Sequence, residues 1–249
     1  MESSKMYNVL VIGDNPDDLM KKYQRDLQVP KYIKFKFSDA EQMKKNTLNI
    51  YKEFTTADNL TLPAFQIATL KERIEEIESM TLFDYYISAT QGLELDDDGN
   101  AWSTENPNGQ WGNYQIGTKF VSPFILYNGN SAFQATKGEI NWSAMHRSNT
   151  ELYNRVWELL VDHESIQNET DQKIYDNRHA LLQVIEEFET KDDYVKYNTS
   201  YWNFAVLNTN DWVDMDNKDS KEWVNNFYDT YIANLPDDTL LTVYEFERF

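Results

Sequence analysis

The residues of this chain that could do chemistry are few and scattered. Its three histidines stand in MHRS, VDHES and NRHAL, and no pair has the spacing with which one helix presents two imidazoles to zinc. Asp162, His163 and Glu164 are adjacent, so a carboxylate could orient the His163 imidazole for proton transfer. Against that, His163 continues the apolar face Leu152, Val156, Leu159 and Leu160, which reads it as a core or boundary residue. In LELDDDGNAW the run Asp96, Asp97, Asp98, Gly99, Asn100 gathers oxygens around a glycine turn. It lacks the alternating ligands and closing glutamate of a calcium loop and reads as a solvated hairpin tip. In DWVDMDNKDSKEW, Asp214 and Asp216 would share a strand face, but Lys218 takes the next alternate position and opposes a cation. Asp219 followed by Glu222 reads as a helix cap. With zero cysteines, disulfides, thiolate metal sites and cysteine nucleophiles are excluded. Gly13 in VIGDNP lacks the further glycines of a dinucleotide fingerprint, and no phosphate loop with its lysine occurs. No catalytic residue, metal site or cofactor is assigned on these grounds.

The densest local signal is NPNGQWGNYQIGTKF, Asn106 to Phe120, which interleaves three glycines with three aromatic rings. Trp111, Tyr114 and Phe120, with Lys119 beside them, admit two readings. Either the rings pack in and around a sheet whose turns the glycines make, or they line a groove that grips a ligand or partner.

The elements that must position these residues follow from periodicity. YNVLVIG from Tyr7 is a short apolar strand, and DNPDD after it opens a helix from about Asp17 to Leu27. KYIKFKF alternates as a half-buried strand, and Ser38 with Glu41 forms a capping box for a helix to about Phe54. Pro63 starts a helix striped by Ile67, Leu70, Ile74 and Ile77, with Glu72, Glu75, Glu76 and Glu78 on its solvated side. The centre reads as β-rich: LFDYYISAT as a strand, LELDDDGNAW as a hairpin, and the segment from Tyr114 to Ala135 as two or three strands, with Pro123 at an edge or bulge. Helices return with the His163 segment and with a second whose Ile174, Leu181, Leu182, Ile185 and Phe188 share a face. YWNFAVLN is a buried strand, SKEWVNNFYDTYIANL a helix and TLLTVYEFERF a closing strand. The expectation is one α+β domain over residues 1–249: a mixed sheet containing both terminal strands, flanking helices, and a helical subdomain at 150–195.

Charge bounds the function. The 249 residues carry a formal net charge of −19, and it is unevenly placed. Residues 151–249 hold 22 acids against 8 bases, a net of −14, and residues 1–150 hold 20 against 15, a net of −5. Such a surface repels phosphate backbones within a Debye length of ~10 Å, which disfavours direct nucleic-acid binding and favours a basic protein partner. No signal-peptide pattern and no run of about 18 apolar residues occurs, which predicts a cytoplasmic protein without membrane contact.

Three stretches together carry a resemblance: VLVIGDNPDD, NPNGQWGNYQIG, and DMDNKDSKEW with LPDDTLLTVYEFE. In this order they resemble an uncharacterised family of phage-encoded proteins with the pattern VIGxNP, NPNxxWDWYxIGGRW and DTLLTVxDCH. The departures matter. Gly112, Asn113, Thr118, Lys119 and Phe120 stand where that pattern has Asp, Trp, Gly, Arg and Trp, and Glu245, Phe246 and Glu247 stand where it has Asp, Cys and His. Lysine for arginine removes a bidentate fork, and the absent Cys-His pair removes the most reactive groups. The resemblance implies a phage origin and no assigned activity.

Two functional expectations follow. The first is a non-enzymatic phage protein that fills the basic nucleic-acid channel of a host defence protein, a CRISPR-type or restriction nuclease. Its contacts would come from Glu186, Glu187, Glu189, Asp192 and Asp193, read as crowding a helix C-terminus and the turn after it, with Trp111, Tyr114, Lys119 and Phe120 as a further contact segment. The second is a nucleotide-binding or metal-dependent enzyme, or a sequestering protein, built on the central glycine-aromatic segment.

Overall fold

The computed structural model describes residues 5–56, 63–117, 123–147, 149–209, 211–216 and 218–248. The chain divides into two compact units, one of residues 1–27 with 107–249 and one of residues 28–106. In chain order the first unit opens with β1 (Lys5–Ile12) and α1 (Pro16–Lys21). The second holds β2 (Tyr32–Phe35), α2 (Ala40–Thr56), α3 (Ala64–Ser79), α4 (Leu82–Ala89), β3 (Glu94–Leu95) and β4 (Ala101–Ser103). The first unit resumes with β5 (Tyr114–Ile116), β6 (Phe124–Ile125), β7 (Ser131–Ala132), β8 (Gln134–Thr136), α5 (Trp142–Arg147) and α6 (Thr150–Leu160). It continues through α7 (Glu169–Asp176), α8 (Arg178–Ile185), α9 (Lys191–Thr199), β9 (Ala205–Leu207), β10 (Trp212–Asp214), α10 (Ser220–Tyr231) and β11 (Leu240–Arg248). The fold is α+β, with a mixed sheet. No helix among the described residues is long and apolar enough to cross a membrane.

The two terminal strands form the heart of that sheet. β1 and β11 run antiparallel from Lys5 opposite Arg248 to Ile12 opposite Leu241. β9 pairs with β1 in parallel and β10 lies outside it, while the far edge of β11 takes β5 and β8. The period of two in the sequence sorts the side chains. Leu10, Ile12, Leu241 and Val243 join Trp223, Val224 and Phe227 of α10 on one face. Val9, Val11, Tyr244 and Phe246 join Leu19 and Met20 of α1, with Trp111, on the other. Helices α6 to α9 close on a third core of Val156, Trp157, Leu159, Leu160, Ile174, Ile185, Phe188 and Tyr194.

In the second unit, Tyr86 and Ala101 pack with Ala40, and a three-stranded sheet runs in the order β2, β4, β3. Ile74 and Ile77 are buried on α3, and the four glutamates beside them are exposed as the stripe predicts.

Several elements differ from expectation. LFDYYISAT is a helix, not a strand. The Thr81 hydroxyl accepts from Asp84 N at 3.1 Å and caps α4, whose Tyr85 and Tyr86 are both buried. The first helix stops at Lys21 and gives way to turns. Ser38 donates to Asp39 Oδ1 instead of boxing the start of α2. Helix α6 ends at Leu160, so His163 lies beyond it, exposed and in the left-handed region at φ 58°. The expected continuous helix through Ile174 and Phe188 is interrupted at Asn177, whose amide donates to Lys173 O at 2.9 Å. Among the described residues the centre supplies four short strands where the sequence predicts two or three.

Candidate functional site

The carboxylates singled out by charge lie at one corner, where α8 ends and α9 begins. Phe188 anchors this corner: it is buried, 5.6 Å from the Tyr194 ring and 5.2 Å from the Tyr197 ring. Around it Glu186, Glu187, Glu189, Asp192 and Asp193 are all exposed. Glu186 caps the C-terminus of α8. Asp192 and Asp193 do not follow a helix end, as expected, but occupy the first turn of α9. Thr190 explains why: its hydroxyl accepts from Asp193 N at 3.2 Å and donates to Asp193 Oδ2 at 2.7 Å, starting a new helix. These two aspartates therefore sit where the helix dipole favours negative charge.

Nearby cations are turned to other tasks. Lys191 pairs with Glu158 at 2.9 Å, which draws the Glu158 carboxyl below its usual range. Lys221 donates to the Glu187 backbone oxygen and lies 4.5 Å over the Phe188 ring. Among the described residues none of the five carboxylates forms an ion pair.

The central glycine-aromatic segment has another role. Trp111 is fully buried, with ring centroids of Trp212, Phe246 and Tyr23 at 5.1, 5.3 and 5.7 Å. It offers no surface to a partner, which corrects its place among contact residues. Among the described residues its Nε1 has no hydrogen-bond partner, an uncommon state for a buried donor. Tyr114 is half-buried at the sheet edge, edge-on to Tyr244 at 5.7 Å, and burial followed by Asp17 and Asp18 pushes its phenol pKa up. Asn113 and Glu247 hold this edge through backbone and side-chain bonds of 3.0 and 3.2 Å. Lys119 and Phe120 lie outside the described residues.

The other candidates are consumed by structure. The Asp96 carboxylate accepts from Asp98 N, Asn100 N, Asn100 Nδ2 and the Trp102 indole at 2.7–3.1 Å. These donors, Trp102 first, hold its pKa below the usual range and make it the clasp of the hairpin tip. Asp214 accepts from Trp212 Nε1 at 2.9 Å, and Asp216 lies past the strand end, paired with Arg248 at 2.6 Å. Asp219 caps α10 by accepting from Glu222 N at 2.8 Å. His146 is half-buried, edge-on to Tyr228 at 4.8 Å; burial lowers its pKa and Asp229 acts against that. No group of three or more His, Cys, Asp or Glu among the described residues could hold a metal ion.

One constellation escaped the sequence reading. Arg155 of α6 donates to both oxygens of the buried Asp171, at 3.1 and 2.6 Å, and also to Glu164 and to Ser165 O. The fork keeps the Asp171 carboxyl well below its usual range and holds the guanidinium charged. It borders an open depression of about 940 Å³ whose rim carries Glu151, Glu158 and Glu169. Every Arg155 nitrogen is already engaged, so its work is to tie the loop between α6 and α7. No spacing rule links residues 155 and 171 across a loop, so no sequence signal marked them. Compared with known proteins, the chain matches no family model, no curated protein and no solved structure.

Proposed function

We propose that this protein acts by binding rather than by chemistry, as a phage-type protein whose acidic face occupies the basic nucleic-acid channel of a host defence nuclease. The observation that carries this reading is the corner of Glu186, Glu187, Glu189, Asp192 and Asp193, exposed and unpaired among the described residues. Unpaired like charges on a firmly anchored corner generate a field that speeds encounter with a basic surface and opposes nucleic acid. The −14 charge of the last hundred residues supports the same reading, as does the phage-like order of the three sequence motifs.

The test is a low-salt pull-down of host nucleases, repeated at rising salt and with a variant carrying Glu186→Gln, Glu187→Gln, Glu189→Gln, Asp192→Asn and Asp193→Asn. Association that weakens with salt and slows in the variant is expected. Capture that ignores both, or no capture of any nuclease, would overturn the proposal.

A further inference from the structure

In the second unit the three-stranded sheet packs one face on its helices. Ala101 and Ser103 of the central strand β4 are buried, Ala101 against Ala40 and Tyr86. Trp102 between them therefore points to the opposite face. Its cross-strand partners share that face: Ile33 of β2, 38% exposed, and the exposed Glu94 of β3. Among the described residues Trp102 touches no other aromatic ring, unlike Trp111, Trp142, Trp157, Trp212 and Trp223. The indole is nonetheless held in place. Its Nε1 donates to Asp96 Oδ2 at 2.9 Å, and Asp96 is itself gripped by Asp98 N and by both nitrogens of Asn100.

The half-buried indole lines a pocket of about 290 Å³ together with Lys31, Gly92, Glu94 and Glu105, at the small end of ligand sites and suited to a single ring. Over Gly92 the space is open, since an added Cβ would meet nothing within 4 Å. Two ion pairs reach the pocket, Lys31 with Glu94 at 2.7 Å and Lys34 with Glu105 at 2.6 Å. The Lys31 ammonium stands 5.4 Å from the indole centroid. Both are surface pairs, loosely held, so their groups can turn to a ligand. Lysine matches glutamate one for one here, in a chain of net charge −19. That balance gives a phosphate no net attraction, which disfavours a nucleic-acid strand stacked on the indole. A wholly apolar ligand would strand the charges. What the pocket complements is a ring with an apolar C–H face and a rim of hydroxyls. The C–H groups sit on the negative face of the indole, while hydroxyls donate to carboxylates and accept from ammonium groups.

We propose that this pocket binds a neutral pyranose, laid on the Trp102 indole with adjacent hydroxyls donating to Glu94 and accepting from Lys31. The site is independent of the acidic corner, which belongs to the first unit. Its test follows the Trp102 indole N–H by ¹H–¹⁵N NMR, the resonance being assigned by its loss in Trp102→Phe. The full chain is titrated at millimolar concentrations with the methyl glycosides of glucose, galactose, mannose and N-acetylglucosamine, and separately with glycerol and with oligothymidylate. At least one glycoside should shift this resonance saturably where glycerol does not. Glu94→Ala, a change at an exposed side chain, should raise the Kd of that glycoside about ten-fold, and the five-acid corner variant should leave it unchanged. No saturable shift with any of the glycosides, or a Kd indifferent to Glu94→Ala, overturns the proposal. So does a shift that oligothymidylate alone produces, which would make the indole a base-stacking platform instead.

Discussion

Two buried tryptophans in opposite hydrogen-bonding states allow the cost of an orphaned donor to be measured inside one protein. Trp111 is fully buried with Nε1 unpartnered among the described residues, whereas Trp223, 6% exposed, donates Nε1 to Asn203 O at 2.9 Å. Replacing either by Phe removes about three heavy atoms, a loss of roughly 2 kcal/mol in buried apolar surface common to both. At Trp111 the change also abolishes an unsatisfied donor, returning about 1–3 kcal/mol, so Trp111→Phe should be nearly neutral. At Trp223 it breaks a bond and strands the carbonyl of the buried Asn203, adding about 1–3 kcal/mol, so Trp223→Phe should cost about 3–5 kcal/mol. The assay is urea unfolding followed by far-ultraviolet circular dichroism, with midpoints compared only where the slopes agree. A gap of about 4 kcal/mol is expected from these terms. Equal costs, or a larger cost at Trp111, would refute the reasoning and imply that the indole N–H finds a partner in solution.

Gly117→Ala should destabilise by about 1 kcal/mol or more, read as a lowered melting temperature, because φ is +90° and an added Cβ would meet the Phe133 ring at 3.0 Å. Arg155→Gln should accelerate amide hydrogen exchange across residues 161–168 while β1 and β11 stay protected, since one guanidinium bonds Glu164, Ser165 and Asp171. Stability should be flat at neutral pH and fall at both extremes. The carboxyls of Asp96 and Asp171 titrate below their ordinary 3.8, so their contribution is complete above that value and lost as pH falls below it. Burial holds the Tyr194 phenol up to about 12 against an ordinary 10.0, so its contribution is complete below pH 10 and lost as pH rises through 12. Denaturant midpoints across the pH range check both limbs.

How much the sequence revealed depended on whether local pattern or distant contact decides an element. YNVLVIG and TLLTVYEFE were legible as one sheet because their apolar residues alternate on both faces and need no partner to be recognised. LFDYYISAT was misread because aromatic and β-branched residues favour strands on average. The cap supplied by Thr81 outweighs that preference, and so do contacts far away in sequence: Tyr85 bonds Thr47 at 2.8 Å and Tyr86 donates to Phe35 O at 3.0 Å. The sequence of the segment from Asn106 to Phe120 fits core and groove alike. What buries Trp111 is rings from Tyr23, Trp212 and Phe246, none of which its own neighbourhood predicts. The Arg155–Asp171 fork lies in the same class, joined across a loop by geometry alone.

The acidic corner shows why crowded charge need not strain a fold. Glu186 and Glu187 follow the last turn of α8, where the dipole opposes them, while Asp192 and Asp193 enter the first turn of α9, where it favours them. Each such term is worth about 0.3–1 kcal/mol at an exposed site, so the two pairs nearly cancel. Relief of intramolecular repulsion is therefore not a reason for a partner; the argument for one is that the nearest lysines serve Glu158 and the Glu187 backbone instead. The cancellation is measurable by splitting the five-acid variant. Asp192→Asn with Asp193→Asn should lower stability by about 1 kcal/mol, and Glu186→Gln with Glu187→Gln should raise it by a similar amount. Combining all five substitutions should leave the unfolding midpoint close to wild type. If the aspartate pair proves stabilising to remove, mutual repulsion outweighs the dipole, and a cationic partner regains a thermodynamic rationale within the folded chain itself.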